Sequence, residues 1–122
     1  MDRESRLTKR SDFAAVYRGG RAWAHPLVVL RAMPNGSDRS RLGFVVSKRL
    51  GKAVSRNRVR RRLREALRRM PLEMGWDVVV IARTPAQEAS FRELAAALEQ
   101  LLTRAKLLAR GPSREQGEGD RR

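Results

Sequence analysis

Between Lys48 and Arg69 the chain places eleven Lys or Arg side chains in 22 residues, against a single acid, Glu65. Guanidinium groups at that density suit phosphate, which they grip two N–H donors at a time, and the faces of bases, on which they stack. The usual ingredients of catalysis are scarce. There is no cysteine, so disulfides and thiolate metal sites are excluded. The one histidine, His25 before Pro26, reads as a surface strand residue rather than a ligand. Asp12, Asp77, Glu88 and Glu93 form no paired arrangement suited to acid–base work or two-metal hydrolysis. No catalytic residue and no metal ligand is assigned. The chemistry on offer is recognition of a polyanion, with RNA or DNA first.

A helix must display these charges. Val59, Leu63, Ala66, Leu67 and Met70 recur at helical spacing. With Val59 at the centre of the buried face, steps of 100° bring Leu63, Ala66 and Met70 within about 40° of it. Asn57, Arg61, Arg64 and Arg68 then point away; Arg56 and Arg60 take one flank, and Arg58, Arg62 and Arg69 the other. A solvated face is the plain alternative. Against it, Arg56/Arg60, Arg58/Arg62, Arg60/Arg64 and Arg64/Arg68 are like charges four apart, each costing roughly 0.2–0.5 kcal/mol. Arg56 and Arg58 also oppose the helix dipole. Glu65 before Arg69 is the one well-oriented compensating pair. A bound polyanion removes these penalties and bulk water does not, so a binding role is preferred. Ser55 is expected to cap the helix, whose first N–H groups would offer a phosphate site. Asn57 fits a base edge, a 2′-hydroxyl or a phosphate, or merely the local backbone.

Bulk composition agrees. A chain of 122 residues with 41% apolar side chains suits one domain with a modest core. The net charge of +15 favours phosphate backbones or anionic lipid. Of the cations 24 are Arg and four are Lys, a bias that a GC-rich genome would also produce. No apolar stretch approaches a membrane span and no signal-peptide core follows the charged N-terminus, so a soluble, cytoplasmic protein is expected.

The remaining elements read as follows. Residues 1–9 are polar and expected to be loose. Ser11 can cap a short helix through Asp12–Tyr17, with Phe13, Val16 and Tyr17 on one face, ended by Gly19-Gly20. Trp23–Met33 reads as a strand, with a short strand near Arg21–Trp23 before it. Pro34-Asn35-Gly36-Ser37 is a turn and Arg41–Ser47 the next strand, which suggests an antiparallel hairpin. Gly51 breaks the chain before the basic helix, which runs to about Met70 and is closed by Pro71 and Gly75. Val78-Val79-Val80-Ile81, within Trp76–Ala82, reads as a buried central strand. Trp23 and Trp76 read as packing residues at strand starts. Thr84-Pro85 suggests a single helical turn, and Ser90 with Glu93 a capping box for an amphipathic helix to about Leu108. Residues 1–110 make one domain and Gly111–Arg122 a disordered polar tail. The order suggests an α+β sandwich with helices on a four-stranded mixed sheet.

Several of these pieces resemble the protein subunit of bacterial ribonuclease P. Lys52-Ala53-Val54-Ser55-Arg56-Asn57-Arg58-Val59-Arg60-Arg61-Arg62-Leu63-Arg64-Glu65 is similar to that family's Arg-Asn-Arg motif. Phe13-Ala14-Ala15-Val16-Tyr17-Arg18-Gly19-Gly20-Arg21 resembles its first helix and the glycine after it. Leu42-Gly43-Phe44-Val45-Val46-Ser47-Lys48-Arg49-Leu50-Gly51 and Asp77-Val78-Val79-Val80-Ile81-Ala82-Arg83 resemble its third and fourth strands. The resemblance spans roughly residues 6–108. It implies a two-layer αβββαβα sandwich with a left-handed βαβ crossover, like that of a ribosomal protein domain and an exception to the usual hand.

The resemblance also implies a function. The holoenzyme removes the 5′ leader of precursor tRNA, its RNA subunit holds the catalytic Mg²⁺, and the protein alone is inactive and binds no cofactor. One protein per RNA is implied. Contacts to the ribonuclease P RNA would come from Lys48, Arg49, Lys52, Arg56, Asn57, Arg58, Arg60, Arg61, Arg64 and Arg68. The leader would lie in a cleft lined by Phe13, Tyr17, Phe44 and Arg83. For Phe13 and Tyr17 core packing and base stacking are equally compatible with the sequence, and the family tips them toward the cleft. Leu30 falls where some relatives carry an aromatic ring, and Thr84 where many carry a cation, so one stacking and one phosphate contact are expected to be missing. The competing classes are a ribosomal-type or double-stranded RNA-binding protein and, further off, a DNA-binding or membrane-surface protein.

Overall fold

The computed structural model describes residues 6–109; the expected tail at 111–122 lies outside the described residues. In chain order come α1 (Arg10–Gly19), β1 (Arg21–Ala24), β2 (Val28–Pro34), β3 (Arg41–Val45), α2 (Ala53–Arg68), β4 (Trp76–Ala82) and α3 (Phe91–Ala105). Short 3-10 turns occupy Lys48–Leu50 and Thr84–Glu88. The described residues thus form an α+β fold on a four-stranded mixed sheet of order β1-β2-β4-β3.

β4 is central, as its unbroken apolar run demands. It pairs antiparallel with β2, Leu30 opposite Val80, and parallel with β3, Phe44 opposite Val80. The expected hairpin between β2 and β3 does not form, because β4 stands between them. The linking loop is instead fastened to the loop before β4. Asn35 N–H donates to Gly75 O (2.8 Å), and the Ser40 hydroxyl accepts from Trp76 N–H (3.1 Å) and donates to Glu73 O (2.6 Å).

Alternation along the strands divides the apolar side chains between two faces. Val28, Leu30, Ala32, Leu42, Val78 and Val80 join Val59, Leu63 and Leu67 of α2 and Leu94, Leu98, Leu101 and Leu102 of α3 in the main core. Each fully buried leucine contributes roughly 1.5–3 kcal/mol, which outweighs several like-charge pairs on the exposed side of α2. The reverse face carries a smaller cluster of Leu7, Val16 and Val79 with Phe13, Met33, Val45 and Ile81, covered by α1.

Local details depart from expectation at the helix starts. α1 begins after Lys9 and α2 after Lys52, neither with a side-chain cap; Ser11 and Ser55 lie inside the first turns. The Ser90–Glu93 capping box forms as expected, and α3 stops at Ala105 where Lys106 turns left-handed. Within the expected loose segment 1–9, Leu7 is buried and its N–H donates to Leu42 O (2.9 Å). β3 is an edge strand, and Arg6 and Leu7 cover its backbone at Leu42.

One polar cluster fixes α1 on the sheet. Asp77 at the start of β4 is buried and takes both Nε (2.9 Å) and Nη2 (2.7 Å) of Arg41, with Asn35 Nδ2 at 2.9 Å. Arg41 also reaches Asp12 in the first turn of α1 (3.5 Å). The hydrogen bonds to Asp77 raise the Arg41 pKa further above its ordinary value, so this guanidinium stays charged. Asp77→Asn is expected to cost about 1–3 kcal/mol in a urea melt, since one amide oxygen can still accept from Arg41 Nε and Asn35 Nδ2 but the new NH2 faces Arg41 Nη2, donor to donor, and the charge pairing is lost. An unchanged melt would show that this cluster does not hold the sheet and α1 together.

Candidate nucleic-acid interface

Val59, Leu63, Ala66 and Leu67 are buried along α2, the expected stripe, and they aim its opposite side outward. Asn57, Arg61 and Arg68 are exposed, and Arg56, Arg58, Arg60 and Arg64 are half-buried at their stems. Lys48, Arg49 and Lys52 are exposed in the turn just before. That turn is held by Ser47, whose hydroxyl accepts from Arg49 N–H (3.3 Å), and by Gly51. Gly51 has φ +103°, a backbone conformation that strains any L side chain, so glycine suits this entry to α2.

The arginines divide by what engages them. Arg62 Nη1 donates to Ala89 O (2.7 Å), and Arg69 lies over the Phe91 ring (5.2 Å), so these two tie α2 to the start of α3. Arg68 and Arg69 both reach Glu65 (3.4 Å each). Arg60 donates to Asn57 Oδ1 (3.0 Å), a neutral partner on the same helix. Among the described residues, no acid pairs with Lys48, Arg49, Lys52, Arg56, Arg58, Arg60, Arg61 or Arg64. Three of these arginines, Arg56, Arg58 and Arg64, also hold a buried Nε donor without a partner. The outer Nη groups of these side chains remain the donors that a phosphate could reach. The α2 N-terminus adds backbone N–H groups that no side chain caps.

The second surface is the reverse face of the sheet beside α1. Phe13 is half-buried there, its ring seated on Gly43, where a Cβ would stand 2.7 Å from two ring carbons. Tyr17, one turn on, is 41% exposed and has room to stack on a base. Arg31 Nη2 donates to Tyr17 O (2.8 Å) and the guanidinium lies 5.4 Å from the Tyr17 ring centroid, with its Nε buried and unpartnered. Sequence reasoning missed Arg31. The signal was strand alternation: Val28, Leu30 and Ala32 face the main core, which turns Val29, Arg31 and Met33 to this side.

The same parity decides where two more side chains lie. Leu30 is fully buried in the main core and takes no cleft position. Phe44 packs on the main-core side beneath Arg64 (5.8 Å), across the strand from Phe13. Arg83 is exposed just past β4 and donates to His25 O (3.4 Å), at the rim beside the β1–β2 turn. His25 lies in that turn rather than in a strand, and its Nδ1 accepts from Leu27 N–H (3.0 Å).

Fold and surfaces together define a small, basic α+β protein with a guanidinium-rich face on α2 and, on the reverse face of the sheet, Phe13 and Tyr17 beside Arg31. Residues 1–106 match the family model described as Ribonuclease P. A ribonuclease P protein component of Dehalococcoides mccartyi (strain CBDB1) is 41% identical over 110 residues, 90% of this chain and 92% of the relative. One from Roseiflexus sp. (strain RS-1) is 47% identical over 111 residues, 88% and 91% respectively. Among solved structures, the Staphylococcus aureus RNase P protein superposes with a TM-score of 0.79 at 34% identity, covering 86% of this chain and 98% of that one. The chain belongs to the ribonuclease P protein family, and its function is that of the protein subunit of this ribonucleoprotein, in tRNA processing. A ribosomal-type RNA-binding role is not favoured.

Proposed function

We propose that α2 and the turn before it bind the ribonuclease P RNA, while the cleft beside α1 holds the single-stranded 5′ leader of precursor tRNA. The holoenzyme hydrolyses one phosphodiester bond endonucleolytically, and catalysis belongs to the RNA subunit. The Mg²⁺ that the holoenzyme requires would be held by its RNA subunit, with no cofactor assigned to the protein alone. One protein serves one RNA, in the cytoplasm; no helix among the described residues is long and apolar enough to cross a membrane.

The observation that carries this reading is the set of α2 guanidinium groups without acidic partners, set apart from Tyr17 and Arg31 on the reverse face. Phe13, Tyr17, Arg31 and Arg83 bind the leader by stacking and by phosphate contact, which is tolerant of base identity. The test is reconstitution. The isolated protein is expected to cleave nothing, and with a bacterial ribonuclease P RNA it is expected to release the leader of precursor tRNA at low Mg²⁺. Cleavage by rigorously RNA-free protein would overturn the division of labour.

A further inference from the structure

β1 is the other edge of the sheet, and among the described residues no strand pairs with its outer side. His25 N–H donates to Val28 O (2.9 Å), and bonded and non-bonded couples alternate along an antiparallel pair. Trp23/Leu30 and Arg21/Ala32 are therefore the bonded couples, and Ala22 and Ala24 turn their N–H and C=O groups to the open edge. The Ala24 carbonyl accepts from Arg104 Nη1 of α3 (3.1 Å), which fixes an exposed guanidinium at one end of the strand. Arg21, also exposed, lies over the Trp23 ring (5.7 Å) at the other end. Among the described residues no acid pairs with either arginine.

This edge adjoins the reverse face. Ala22 stands opposite Arg31 and Ala24 opposite Val29, both alanines exposed, so a strip of two methyl groups separates Tyr17 and Arg31 from the edge. Two guanidinium groups beside free backbone N–H donors, reached across a smooth strip, suit an extended polyanion. Strand addition by a second copy is disfavoured, because Arg104 already holds the Ala24 carbonyl and two chains of net charge +15 repel.

We infer that the β1 edge is a distal phosphate site for long leaders. Past Tyr17 and Arg31, the single strand crosses Ala22 and Ala24 and is held through its phosphates by Arg21 and Arg104. The inference rests on the proposed leader cleft and adds where the strand goes beyond it. Phosphate contacts make this site sensitive to leader length and indifferent to base identity.

The test is a series of precursors with leaders from one nucleotide to well beyond the cleft, cleaved by holoenzyme rebuilt with the parent chain or with Arg21→Gln/Arg104→Gln. The KM defect of the variant is expected to appear only once the leader outgrows the cleft, and to reach roughly 3–10-fold for two exposed charge contacts. The salt slope of long-leader binding is expected to shrink by about 1.4, at about 0.7 per single-strand phosphate. Arg104→Lys, which keeps the cation, is expected to retain most of the parent's affinity. Thr103→Cys, exposed beside Arg104 in a chain without cysteine and carrying an aryl azide, is expected to cross-link the upstream part of a long leader. A defect of equal size at every length, no defect at any, or cross-links confined to the RNA subunit would overturn the distal site. So would a free chain that dimerises and loses its dimer on Arg104→Gln, which would give the edge to a second copy. Failure of the unsubstituted holoenzyme to favour a long leader over a single nucleotide would instead overturn the cleft reading beneath it.

Discussion

Changing Arg60, Arg61 and Arg64 together to alanine is expected to weaken binding to ribonuclease P RNA by about 10²–10³-fold while leaving the fold's stability within about 1 kcal/mol of the parent. The first half follows from three charge-assisted contacts worth about 1–1.5 kcal/mol each after solvent screening, at 1.4 kcal/mol per tenfold. The second half follows from opposing small terms. The variant relieves the Arg56/Arg60, Arg60/Arg64 and Arg64/Arg68 repulsions, roughly 0.2–0.5 kcal/mol each. It gives up the Arg64 contact with Phe44, about 1 kcal/mol for a half-buried cation on a half-buried ring. Filter binding and a urea melt on the same preparation check both halves. A large drop in stability with only a matching drop in affinity would mean that these cations serve the fold.

Phe13→Leu combined with Tyr17→Ala is expected to raise KM for a long-leader precursor about 10²-fold. Affinity for the RNA subunit should stay unchanged. Each base stack is worth about 1–3 kcal/mol, so even the lower limit for two stacks exceeds tenfold. Tyr17 is 41% exposed and supports little packing. Leucine at Phe13 keeps apolar contact with Val79 and Ile81, which separates the loss of the ring from the loss of a core residue. Comparing precursors that carry a long leader with those that carry one nucleotide reads the effect directly. Equal defects on both, or a defect in RNA assembly, would merge the two surfaces into one.

Which parts of this protein were legible in its sequence follows from the range of each signal. The buried stripe of α2, the Ser90–Glu93 box and the apolar run of β4 are written within a few consecutive turns or residues, and each stands as expected. Strand neighbours are not local. The turn at Pro34–Ser37 suggested a hairpin, but its loop is tied by Asn35 and Ser40 to the residues around Gly75, and β4 inserts between β2 and β3. The cleft suffered most from this. Face assignment in a strand turns on a single residue, so Leu30 and Phe44 fall on the core side while Arg31, unremarked, comes up beside Tyr17. Uncapped starts at Lys9 and Lys52 were hidden by serines that lie two or three residues further on. Arg62 and Arg69 look like their neighbours in sequence; only the packed α3 and the turn before it show that they are already occupied.

The most direct test of the central claim is the affinity of the intact chain for ribonuclease P RNA measured across a range of monovalent salt. With about six phosphates neutralised by α2 and its preceding turn, log K should fall by roughly five per tenfold increase in salt. Binding that is absent at low salt, or a slope near zero, would contradict the claim that these guanidinium groups find their counter-charge on RNA.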